Sequence, residues 1–126
     1  MHLPVLLSVG PADEWLEGFA RAMGKAGVPV VSGLSPAGLA ALLSRCRLYA
    51  GSDSGVSHLA AAVGIPTVAV FGPTDPAVWG PRGRSVHILQ RSWSEARTLQ
   101  WGTPDFAGVA DDEMVEIIRG VVSTPV

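Results

Sequence analysis

A single cysteine, Cys46, stands among 126 residues, which excludes an internal disulfide. It falls between a predicted helix and the next strand, the place of a buried packing thiol rather than a nucleophile. Charge is also scarce, with 16% charged residues and a formal net charge of -2. No basic cluster exceeds two or three side chains, which argues against nucleic acid as a partner. No apolar run approaches the roughly 20 residues that cross a bilayer. The first residues lack the basic n-region and cleavage pattern of a signal peptide, so a cytoplasmic protein is expected. Two phosphate-binding fingerprints are missing as well. There is no G-x-G-x-x-G after a strand and no G-x-x-x-x-G-K-[ST], so neither a dinucleotide turn of that type nor a P-loop is encoded. No internal repeat, low-complexity segment or metal-ligand set is present, and no cofactor is expected.

What the chain has is a core's worth of apolar residues, 48% hydrophobic in a length that suits one core and not two. Its 15 glycines and 10 prolines fall at the boundaries of elements. Residues 4–8 form an apolar run that predicts a strand. Asp13 and Glu14 open a helix reaching about Ala26, with acidic side chains at the positive end of its dipole and Gly27 as its stop. Trp15, Phe19, Ala22 and Met23 are spaced as its inward face. A second strand is expected over residues 28–31. Ser35 and Pro36 read as cap and first position of another helix, which buries Leu39, Leu42 and Leu43 and ends near Arg45. Residues 48–50, 67–71 and 86–89 read as further strands. Residues 111–122 read as a closing helix with Met114, Val115, Ile118, Val121 and Val122 inward. Residues 91–108 show no clear period. Alternating strand and helix predicts a Rossmann-like α/β fold, a parallel sheet flanked by helices.

The segment from Gly51 to Pro76 carries the chemistry. It predicts two strand ends, each running into a turn rich in Gly, Ser, Thr and Asp, with an Ala-rich helix over residues 56–63 between them. Ligands of open α/β sheets bind outside the carboxyl ends of the strands, where both turns lie. Asp53 or Ser54 should cap the helix. The N–H groups of Ser54, Gly55 and Val56 would then face outward at its positive end, a ready site for phosphate or diphosphate. The same pattern also serves as a plain capping turn. Asp53, beside such an anion, would accept from sugar hydroxyls or backbone N–H groups. His58, on the first turn of the helix, either makes a structural hydrogen bond or donates to a phosphate oxygen. In the second turn Thr74 or Asp75 caps a short helix with Pro76 at its next position, and Thr74 could reach a phosphate or a ribose hydroxyl. Trp79 is expected to cover the core, and His2 and His87 are read as structural.

These residues resemble the carboxyl-terminal, nucleotide-sugar-binding domain of glycosyltransferase family 9, the ADP-heptose:lipopolysaccharide heptosyltransferases. The family signature is similar to Asp53-Ser-Gly-x-x-His58-Leu-Ala-Ala-Ala followed by Gly64-x-Pro66-x-Val68-x-x-Phe71-Gly-Pro-Thr-Asp75-Pro76. Gly10-Pro-Ala-Asp-Glu14 resembles the family's Gly-Gly-Pro-x-Glu turn, in which the acidic residue approaches the nucleotide ribose. The resemblance implies that residues 1–126 are one half of a GT-B enzyme, without the first strand–helix unit of that half and its lysine near the diphosphate. It further implies inverting transfer of heptose from ADP-heptose to an inner-core sugar of lipopolysaccharide. The acceptor and the catalytic aspartate belong to an amino-terminal domain outside this sequence, so no catalytic residue is assigned here. No metal is implied, and no Asp-x-Asp motif occurs. Location at the inner face of the inner membrane would follow from such an acceptor.

Two other readings compete. The chain could be a non-catalytic nucleotide-binding fragment. Alternatively, Gly51-Ser-Asp53-Ser-Gly55 matches a nucleophile elbow with aspartate in the serine's place, which would make an α/β-hydrolase with His87 as base. That fold normally needs about twice this length. An unpaired strand edge, left where the first strand is missing, predicts a homodimer or association.

Overall fold

The computed structural model describes residues 4–10, 17–52, 54–71, 75–90 and 111–123. The chain divides into two compact units, residues 1–38 and 39–126.

In the first unit, strands β1 (Leu7–Val9) and β2 (Val30–Ser32) pair in parallel, with Leu7 opposite Val30 and Val9 opposite Ser32. Helix α1 (Glu17–Lys25) connects them, acidic in its first turn and ending on a lysine, as the dipole favours. Gly27 follows at φ +89°, the left-handed conformation that closes a helix without a Cβ penalty. Phe19 was expected inward and is instead 52% exposed. Two strands of three residues each offer a helix little apolar surface to cover it. Trp15 lies outside the described residues. Helix α2 (Pro36–Ser44) starts as the sequence predicts: Gly38 N–H donates to Ser35 Oγ at 3.0 Å, with Pro36 at the first helical position.

The second unit is built on three parallel strands in the order β3 (Tyr49–Ser52), β4 (Thr67–Phe71), β5 (Val86–Gln90). All five residues of β4 are buried, because helices cover both of its faces. On one face Val68 and Val70 join Leu89 and are covered by Leu48 and by Ile117 and Ile118 of α5 (Asp111–Ser123). The alternate residues Thr67, Ala69 and Phe71 point to the other face. There α3 (Gly55–Val63) packs on β3 and β4 and contributes Ala60 to a cluster with Leu43 and Ile65. Ala60 and Ala61 are both buried, and small side chains there let helix and sheet approach closely. Gly64 ends α3 at φ 91°, donating to the Ala61 carbonyl at 3.1 Å.

The parallel sheets flanked by helices are the architecture the sequence predicts. Details differ where burial depends on distant neighbours. Cys46 is only half-buried; its thiol lies 3.4 Å from the Leu42 carbonyl and packs beside Leu43. In α5 Ile117 and Ile118 pack on the sheet and Val122 is buried, whereas Val115, expected inward, is 43% exposed. Arg47 ties this helix down: its Nη2 donates to the Val122 carbonyl at 2.7 Å, supplying a cation where the last carbonyls of α5 lack partners. Arg47→Ala should therefore cost about 1 kcal/mol. A lower urea midpoint with an unchanged slope is the expected result; an unshifted midpoint would show the contact to be idle.

Candidate functional site

Strand β3 ends at Ser52 and α3 begins at Gly55, so the chain turns sharply at the carboxyl edge of the sheet. Ser54 is the N-cap, with extended φ -156° and ψ 166°. Its hydroxyl makes no capping hydrogen bond, so of the two side chains expected to cap the helix that of Ser54 does not, and Asp53 lies outside the described residues. The turn closes from inside instead. Ser57, fully buried, donates its backbone N–H at 3.2 Å and its hydroxyl at 2.7 Å to the Ser54 carbonyl. That carbonyl is satisfied twice, and the Ser54 hydroxyl accepts from no N–H of the first turn.

Gly55 adds to this. A Cβ built on it would meet no atom within 4 Å, and its φ is not positive. Neither packing nor backbone conformation among the described residues calls for glycine, although glycine costs a helix conformational entropy. Val56 turns its side chain toward the Leu43–Ala60–Ile65 cluster, leaving its backbone as the group available at the helix end.

One turn further on, the exposed ring of His58 places Nε2 2.9 Å from the carbonyl of Trp79. Trp79 closes the short helix α4 (Pro76–Trp79), which follows β4 as α3 follows β3. Asp75 caps α4, Oδ1 accepting from Ala77 N–H at 2.9 Å with Pro76 next in line. Of the two caps weighed in the sequence, Asp75 is the one used. Trp79 does not cover the core: it is 59% exposed, and its carbonyl accepts from His58. A four-residue surface helix has no interior side on which to bury an indole.

The structure thus brings together Ser54, Gly55, Val56 and His58 at the start of α3, and the His58–Trp79 bond links them to α4, which Asp75 caps. Asp53, Thr74 and Glu14 lie outside the described residues. Sequence reasoning missed two contributors, Ser57 and the Trp79 carbonyl. The first had a signal, a serine three residues after another at a helix start; a main-chain acceptor 21 residues from its histidine has none. Among the described residues no group of three or more His, Cys, Asp or Glu is placed to hold a metal ion. No helix there is long and apolar enough to cross a membrane. His87 sits within β5 opposite Val68, two strands away from β3. Two strand spacings put it about 9.5 Å from β3 in the sheet plane alone. It lies inside the sheet, level with Val68 and Ala50, rather than beyond the carboxyl ends of the strands where the base of a nucleophile elbow would sit.

The family model for glycosyltransferase family 9 (heptosyltransferase) matches residues 3–104. The chain belongs to glycosyltransferase family 9. Among the relatives of this heptosyltransferase-family chain is lipopolysaccharide heptosyltransferase 1 of Pseudomonas aeruginosa, 41% identical over 85 residues, covering 67% of this chain and 24% of the relative. Lipopolysaccharide heptosyltransferase 1 of Escherichia coli K12 is 39% identical over 79 residues, covering 63% and 23% respectively. The chain thus spans about a quarter of the length of the curated relatives it matches. In fold it is similar to E. coli heptosyltransferase WaaC solved with ADP, with a TM-score of 0.61 at 21% identity over 94% of this chain and 45% of that one. A glycosyl transferase family 9 structure from Veillonella parvula gives a TM-score of 0.60 at 21% identity, covering 94% and 46%.

Proposed function

We propose that this chain binds the ADP part of a nucleotide-activated heptose, as the donor side of an inverting transfer to an inner-core sugar of lipopolysaccharide. The observation that carries the reading is the start of α3. Its N-cap residue Ser54 makes no side-chain capping hydrogen bond, and a Cβ on Gly55 would meet no atom of the other described residues within 4 Å. The N–H groups of Ser54, Gly55 and Val56 donate to the diphosphate there, at a helix end carrying about half a positive charge. They oppose the negative charge that grows on the diphosphate as the glycosidic bond breaks, where fixed donors lower the barrier most. Family membership and the fold shared with a heptosyltransferase solved with ADP support this assignment.

The remaining roles extend the same proposal. Asp53 accepts from sugar hydroxyls, Glu14 approaches the ribose, Thr74 reaches a phosphate or ribose hydroxyl, and Asp75 shapes the second turn. Residues 1–126 act as the nucleotide-sugar-binding half of a GT-B enzyme, and the base that deprotonates the acceptor hydroxyl lies on another part of the enzyme. Purified as these 126 residues, the chain should bind ADP yet transfer no heptose from radiolabelled ADP-heptose. Calorimetry showing no ADP binding would overturn the donor assignment. Turnover by the chain alone would overturn its restriction to the donor side.

A further inference from the structure

Helix α4 has four residues, far below the length at which a helix holds itself together in water. Its first turn is tied by Asp75, and its closing hydrogen bonds run from Trp79 N–H to the Asp75 carbonyl at 3.0 Å and from Gly80 N–H to the Pro76 carbonyl at 2.8 Å. The carbonyl of Trp79 accepts none of these bonds, since it is one of the last carbonyls of the helix. His58 supplies a partner from the first turn of α3. A carbonyl oxygen only accepts, so Nε2 carries the hydrogen, and in the neutral ring Nδ1 is then an acceptor without one. Such a ring has no hydrogen left to offer a phosphate.

We infer that His58 is a positioning residue, which fixes α4 and the Asp75 turn against the start of α3 by donating Nε2–H to the Trp79 carbonyl. The consequence for ligand binding rests on the donor-site reading above; the structural role does not. His58 thereby holds α4, with its Asp75 cap, beside the start of α3.

Glutamine places a donor nitrogen at about the reach of histidine Nε2, whereas alanine leaves the Trp79 carbonyl to solvent and unties α4 from α3. In the 15N-labelled chain at pH 8, long-range ring spectra of His58 should show Nε2 protonated and Nδ1 bare. Amide exchange at Trp79 and Gly80 should quicken about tenfold in His58→Ala, as expected for loss of one bond to a marginal helix, and return toward the wild-type rate in His58→Gln. ADP affinity should fall about tenfold in His58→Ala and recover to within about threefold in His58→Gln. A ring protonated on Nδ1 alone, or α4 amides that exchange alike in wild type and His58→Ala, would overturn the positioning role. Failure of glutamine to restore ADP affinity while it restores amide protection would show direct contact with the nucleotide instead. Should the wild type bind no ADP, the donor-site reading fails, and the ring spectrum and exchange rates still decide the role of His58.

Discussion

Phe71→Ala should destabilise this chain by about 3–5 kcal/mol, the usual cost of removing a buried aromatic ring. Phe71 is fully buried and ends β4, a strand whose five residues are all buried. Truncation there loses the transfer free energy of the ring and leaves a cavity that a sheet bonded on both edges cannot collapse to fill. Domains of this size are stable by about 5–15 kcal/mol, so the variant should be partly unfolded near body temperature. Trp79→Ala removes a larger side chain, yet Trp79 is 59% exposed. Its cost should stay near 0.5 kcal/mol, the range of surface substitutions. Urea titrations of both variants test the contrast. A Phe71→Ala midpoint matching that of Trp79→Ala would contradict the placement of the core.

Gly55→Val should reduce ADP affinity by about tenfold to a thousandfold, the loss of one or two charge-assisted hydrogen bonds. The fold should survive the change. Apart from its neighbours along the chain, no atom of the described residues lies within 4 Å of a Cβ at this position, and the backbone is not in the left-handed region. The valine side chain would instead fill the open space through which an anion must come to meet the first N–H groups of α3. Gly55→Ala, with a smaller obstruction, should fall between the two. Calorimetry with ADP measures the affinities, and an unchanged circular dichroism spectrum confirms the fold. Equal affinity in wild type and Gly55→Val would reduce the turn to a helix start.

Much of this architecture was legible because the signals are local. Residues 67–71 read as a buried parallel strand from an unbroken apolar run, and β4 occupies those residues. Ser35 before Pro36 and Asp75 before Pro76 announce helix starts, since each needs only a side-chain acceptor and a ring with fixed φ a few bonds away. The family resemblance rested on the dense pattern from Asp53 to Pro76, and the match over residues 3–104 bears it out. Exposure was less legible. Phe19, Trp79 and Val115 carry apolar side chains at plausible inward positions, but whether anything covers them depends on elements distant in sequence. The start of α3 was legible in position but not in its bonds: Ser54 is the N-cap residue, yet its hydroxyl makes no capping hydrogen bond. Ser57 instead bonds back to the Ser54 carbonyl through its hydroxyl, a choice between two serines that the sequence does not make. The His58–Trp79 bond was half legible: the sequence allowed a structural hydrogen bond, and the fold alone chooses the partner.

The start of α3 as the seat of the diphosphate is tested most directly by titrating ADP into the 15N-labelled chain and following the backbone amides. The account predicts the largest shifts at Ser54, Gly55 and Val56, moving together along one binding curve. Saturating ADP that leaves these three amides in place, whether other signals move or none do, would contradict it.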